Sequence, residues 1–94
     1  MLFRSWNELA HYFAHNGRVE TAFSCFEKSL SLSPREAEFF FDFGTALLLY
    51  RTEAGRHYRL TEQEVFAKVL TLYRRGMKLE PTSFKHAADF AQTF

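Results

Sequence analysis

His11 and His15 stand four residues apart, the spacing at which two imidazoles on one helical face can share a metal ion. No Glu follows His11 in the pattern of a helical zinc protease and no third ligand is evident, so the pair reads as a polar wall and no metal site is expected. Cys25 has no base beside it in sequence and sits in an apolar run, which marks a core thiol in a reducing compartment. The segment Arg51-Thr52-Glu53-Ala54-Gly55-Arg56-His57-Tyr58-Arg59-Leu60 sets three Arg, one His and one Tyr against one Glu. That composition suits contact with phosphate or an acidic partner, and it equally suits a solvated extension that costs little loop entropy. Ser33-Pro34 has the form of a proline-directed phosphorylation site, although helix capping accounts for both residues. No Gly-rich phosphate loop, nucleophile elbow, paired-carboxylate pattern or multi-Cys motif is present, so neither catalysis nor a cofactor is expected.

The elements that must position these groups are helical. Ninety-four residues, 47% of them hydrophobic and twelve of them Phe, are enough for one domain with a core, which excludes a disordered chain. Two Pro and four Gly leave long apolar stretches uncut, which favours helices over short strands. A net charge of +1 gives no field to gather nucleic acid or an anionic membrane. No window approaches a membrane span and the N-terminus lacks a signal-peptide core, so a cytoplasmic protein is expected.

Internal repetition supplies the architecture. Phe26-Glu27-Lys28-Ser29-Leu30-Ser31-Leu32-Ser33-Pro34 aligns without gaps on Tyr73-Arg74-Arg75-Gly76-Met77-Lys78-Leu79-Glu80-Pro81. A second unit recurs as Trp6/Leu9/Ala10/Phe13, Phe40/Phe43/Gly44/Leu47 and Ala87/Phe90/Ala91/Phe94. Its first two copies lie 34 residues apart and its last two 47, so thirteen extra residues fall between Leu47 and Tyr73, around residues 51 to 60. Five helices are expected, over residues 3 to 15, 18 to 32, 35 to 51, 62 to 79 and 83 to 94, each with one buried stripe. Ser33-Pro34-Arg35-Glu36 and Thr61-Glu62-Gln63-Glu64 read as capping boxes, and Asn16-Gly17 as a left-handed helix stop.

These residues resemble the tetratricopeptide repeat, whose 34-residue unit reads W-x2-L-G-x2-Y, then A-x3-F, then P. The first copy supplies Trp6, Leu9, Ala10, Phe13, Ala22, Phe26 and Pro34; the second supplies Phe40, Phe43, Gly44, Leu47, Val69, Tyr73 and Pro81. The resemblance implies an all-α fold of antiparallel helix-turn-helix repeats stacked as a short right-handed α-solenoid. Repeat one would cover 3–36, repeat two 37–83 with the insertion near 51–60, and the first helix of a third repeat 84–94. The small residues Ala10, Gly44 and Ala91 would sit where paired helices approach most closely.

The resemblance also implies a concave groove lined by the first helix of each pair, in a module that binds another protein or peptide. The groove residues would be Arg4, Asn7 and His11, with Ala14 or His15; then Glu38, Phe41, Thr45 and Leu48; then Lys85, Ala88 and Gln92. This stripe would face solvent. Phe41 and Leu48 would then be either the apolar floor for a peptide or ordinary packing against a neighbouring helix. A carboxylate clamp of the chaperone-binding kind is not expected, because Asp42 and Asp89 stand where cationic or amide groups are needed. Arg51, Arg56, His57, Tyr58 and Arg59 are candidates for a secondary contact. The alternatives are a helical-repeat RNA binder, which the near-zero net charge disfavours, and a self-assembling module, associating through the C-terminal helix.

Overall fold

A computed structural model describes residues 5–80 and shows an all-α domain of five packed helices: α1 (Trp6–His15), α2 (Val19–Leu32), α3 (Ala37–Leu49), α4 (Arg51–Tyr58) and α5 (Glu62–Leu79). The helix expected over 83 to 94 lies outside the described residues. Among those residues no helix is long and apolar enough to cross a membrane.

Local chemistry sets most of the boundaries. Ser5 caps α1 by accepting from the Glu8 amide at 3.2 Å. The helix stops at Asn16-Gly17, where Gly17 takes φ 79° and the Arg18 amide returns to the Phe13 carbonyl at 2.8 Å. Thr61 opens α5 with a complete capping box: its hydroxyl accepts from the Glu64 amide at 3.2 Å, and the Glu64 carboxylate accepts from the Thr61 amide at 2.9 Å. These bonds hold the Glu64 carboxyl below its ordinary pKa. Thr61→Ala should cost about 0.5–2 kcal/mol in a denaturant titration; no loss would mean that water replaces the cap.

The capping box expected at Ser33 does not form. Ser33 instead ends α2, its amide donating to the Ser29 carbonyl at 2.9 Å, and residues 33–36 close a turn through Glu36 N–H to Ser33 O at 3.2 Å. α3 therefore starts later, at Ala37, with no side-chain cap.

The inserted segment is the larger correction. It is α4, packed on the core, where a solvated loop was one of the two open readings. Ala54 is fully buried, and four residues on, Tyr58 lies over Phe23 with ring centroids 5.8 Å apart. The Tyr58 hydroxyl donates to Glu27 at 2.8 Å and the Lys68 ammonium sits 4.5 Å from its ring. α4 ends on Arg59 in the left-handed conformation, φ 56°, with the Leu60 amide donating to the Gly55 carbonyl at 2.8 Å.

α1 and α2 form one antiparallel hairpin, since Arg18 at the start of α2 lies over Phe13 near the end of α1, and Lys28 lies beside Trp6. α3 and α5 form the second, with Phe41 against Gly76 and Thr45 against Tyr73. Positions that repeat in the sequence are buried alike. Ala10 and Gly44 are both buried, as are Ala22 and Val69, and Ser29 and Gly76. At Gly44 a Cβ would stand 2.8 Å from the Tyr73 ring, and at Gly76 2.8 Å from the Phe41 ring, so α3 and α5 touch at this distance only because both positions lack a side chain. Trp6 departs from the pattern: it is 42% exposed rather than filling a gap. The core between the hairpins is aromatic, with Phe26 stacked on Phe43 at 5.6 Å and Phe23 6.4 Å from Phe43. Cys25 is buried in it as a free thiol, its pKa pushed up by desolvation.

Candidate functional site

The helical periods of α1 and α3 bring three of the expected groove residues, His11, Glu38 and Thr45, to one strip with Asp42. His11 Nε2 lies 3.3 Å from Asp42 Oδ2, and Glu38 stands one turn before Asp42. Thr45, three residues beyond Asp42, shares a 2.9 Å hydrogen bond with the Tyr73 hydroxyl of α5. Glu38 is exposed, Asp42 and Thr45 half-buried. The strip is thus polar, carries two carboxylates, and spans three helices.

Asn7 corrects the expectation that this whole stripe faces solvent. It is only 7% exposed, and its Nδ2 has no hydrogen-bond partner among the described residues. Rotation explains the burial: Asn7 is three residues from Ala10, which is fully buried, and so lies toward the core side of α1.

Phe41 and Leu48 are half-buried. The Phe41 ring packs on α5, touching Gly76 and lying 6.1 Å from Tyr73, which is the neighbouring-helix packing left open above. Leu48 packs against the core cluster, and Arg51 donates to its carbonyl at 3.4 Å. Of the remaining groove residues, Arg4, Lys85, Ala88 and Gln92 lie outside the described residues. His15 is exposed at the end of α1, away from the Asp42 contact that occupies His11, and among the described residues no group of three His, Cys, Asp or Glu could hold a metal.

The secondary-contact residues divide. Arg51 and Arg56, with Glu62 opposite, line an open cleft of about 490 Å³ between α4 and the start of α5, and Arg51 Nε lies 3.6 Å from Glu62. Arg59 is exposed at the end of α4. Tyr58 belongs to the core instead, and His57 lies between Tyr58 at 4.7 Å and Phe23 at 5.7 Å while much of it stays in solvent. Sequence reading missed Asp42 as the partner of His11; a residue rejected for one kind of ligand clamp was the signal at hand.

The hydrogen bond to Asp42 raises the His11 pKa above its ordinary 6.5, with the charges of Asp42 and Glu38 adding to it and burial opposing. His11 also meets the edge of Phe26 at 5.2 Å. A raised folded-state pKa means that the protonated pair stabilises the fold fully below the unfolded value near 6.5, and that this contribution disappears as pH rises through the folded value. Stability should therefore fall modestly as the pH rises past about 6.5, and His11→Gln should flatten the profile. A slope unchanged by that substitution would show that the pair is not coupled to folding.

Comparison of the chain with models of protein families, with curated proteins and with solved structures finds no match.

Proposed function

We propose that the protein is an interaction scaffold that takes a peptide or an extended segment of a partner protein across α1 and α3. The finer architecture belonging to this reading is a short right-handed α-solenoid of tetratricopeptide type, with the two hairpins as successive repeats. The observation that supports the proposal is the polar strip between α1 and α3, where His11, Asp42 and Thr45 leave polar atoms part-exposed. Glu38 and Asp42 favour a basic side chain in that peptide and disfavour a terminal carboxylate or a nucleic-acid phosphate. No catalytic step is assigned to the site.

The test removes a carboxylate from the strip. Asp42→Ala should weaken partner binding while the two hairpins stay folded. A partner captured from source lysate should photo-crosslink to a probe at Thr45 and not to one at Thr71, which is exposed on α5. Crosslinking confined to position 71, or an Asp42→Ala variant that binds normally, would remove the support for this groove.

A further inference from the structure

Ser33 does not perform the task that accounts for it in the sequence. Its amide closes α2 on the Ser29 carbonyl, its own carbonyl takes the Glu36 amide, and α3 begins at Ala37 with no side-chain cap. The hydroxyl is therefore not spent on capping. Ser33 is half-buried, but Ser31 and Leu32 before it and Pro34, Arg35 and Glu36 after it are exposed, and residues 33–36 belong to no helix. Of the chain's two prolines, Pro34 follows Ser33 and Pro81 follows Glu80, so Ser33 is the one hydroxyl residue with a proline behind it.

The two proline junctions correspond at the 47-residue displacement, and their backbones are alike. Ser33 ends α2 with φ/ψ of −135°/68°, and Glu80 ends α5 with −144°/84°. Each donates its amide to the carbonyl four residues back, Ser33 to Ser29 at 2.9 Å and Glu80 to Gly76 at 3.0 Å. One helix end thus carries a hydroxyl where the other carries an exposed carboxylate. We propose that Ser33 is a phosphorylation site for a proline-directed serine kinase, and that phosphoserine puts at the end of α2 the negative charge that Glu80 carries at the end of α5. In the transfer, Ser33 Oγ bonds to the γ-phosphorus of a nucleoside triphosphate held by the kinase as the bond to the β-phosphate oxygen breaks. The hydroxyl proton passes to a base of the kinase and the nucleoside diphosphate leaves.

A negative charge at a helix C-terminus opposes the macrodipole. Glu80 shows that this backbone geometry holds one in solvent, and Arg35, exposed two residues after Ser33, adds a neighbouring positive charge. Because a phosphate brings a charge of about −1.5 to −2 at neutral pH, modification reverses the sign of a net charge of +1, and it does so on the turn that joins the two hairpins. The inference does not depend on what the α1/α3 strip binds.

The test treats the folded 94-residue chain with magnesium ATP and a proline-directed serine kinase of verified activity, reading incorporation by intact mass and its position by fragmentation. A single phosphate is expected, on Ser33, absent from Ser33→Ala and strongly reduced in Pro34→Ala, which keeps the hydroxyl. The phosphorylated chain should retain the helical circular-dichroism signal and melting temperature of the unmodified one, and Ser33→Glu should do the same. A chain that the kinase leaves unmodified at Ser33, or one modified equally well as Pro34→Ala, would overturn the proposal. So would loss of the helical signal on phosphorylation or in Ser33→Glu, since Glu80 would then be no guide to what the end of α2 accepts.

Discussion

Cutting Phe43 back to Ala should lower the folding free energy by about 3–5 kcal/mol, the largest loss expected from any single truncation in α3. Phe43 is 2% exposed and touches both aromatic residues of α2 that hold the hairpins together. Its removal opens a cavity at the one layer shared by α2 and α3, and the surrounding rings cannot close it without breaking their own packing. Phe41, two residues earlier, is the control. Its ring is only half-buried and rests on Gly76, so Phe41→Ala should cost roughly 1–2 kcal/mol, in proportion to the apolar area it hides. A Phe41 standing free on a groove floor would leave stability largely intact when cut back; the contact with α5 raises that figure. Thermal and denaturant melts of the two variants settle the order, and equal losses would mean that Phe41 belongs to the core.

The second large effect comes from adding volume. Ala10→Leu and Ala54→Leu should each cost about 1–3 kcal/mol by overpacking, because both positions are fully buried. In a solvated insertion Ala54 would tolerate Leu silently; here it does not, since Ala54 faces the core from α4. Ala67→Leu, at an exposed position on α5, is the appropriate silent control. A melt in which Ala54→Leu matches Ala67→Leu, with Ala10→Leu alone destabilised, would show that α4 can move away from the core.

Why α4 escaped notice has a physical explanation. Its eight residues contain Gly55 in the middle, a residue that costs about 1 kcal/mol relative to Ala in a helix. It ends on a left-handed Arg59 rather than the Gly or Asn that would announce a stop. Only Ala54 and Tyr58 mark its buried face, two residues where a stripe needs several to be read. The helix forms because Tyr58 finds Phe23, Glu27 and Lys68, which lie on other helices and are distant in sequence. The Ser33 capping box failed for a related reason: the same four residues can cap one helix or close the previous one, and the geometry between hairpins selected the turn.

By itself the sequence determined the local and the periodic. The helical class, the hairpin stop at Gly17, the complete cap at Thr61 and the span of α5 follow from turn chemistry and from a 3.6-residue apolar period, both of which act between near neighbours. The close approach of α3 and α5 also follows at one of its two positions, because steric demand at a close helix contact admits only small residues, and Gly44, repeated from Ala10, records it as Gly76 does on α5. Tertiary structure decided what depends on helix rotation and on long-range partners. It placed Asn7 on the core side of α1 without an acceptor, joined His11 to Asp42 across 31 residues, set Phe41 on Gly76, and made the insertion a packed helix. A rotation of a few tens of degrees about a helix axis moves a side chain from solvent to core, and no sequence period measures angles that finely.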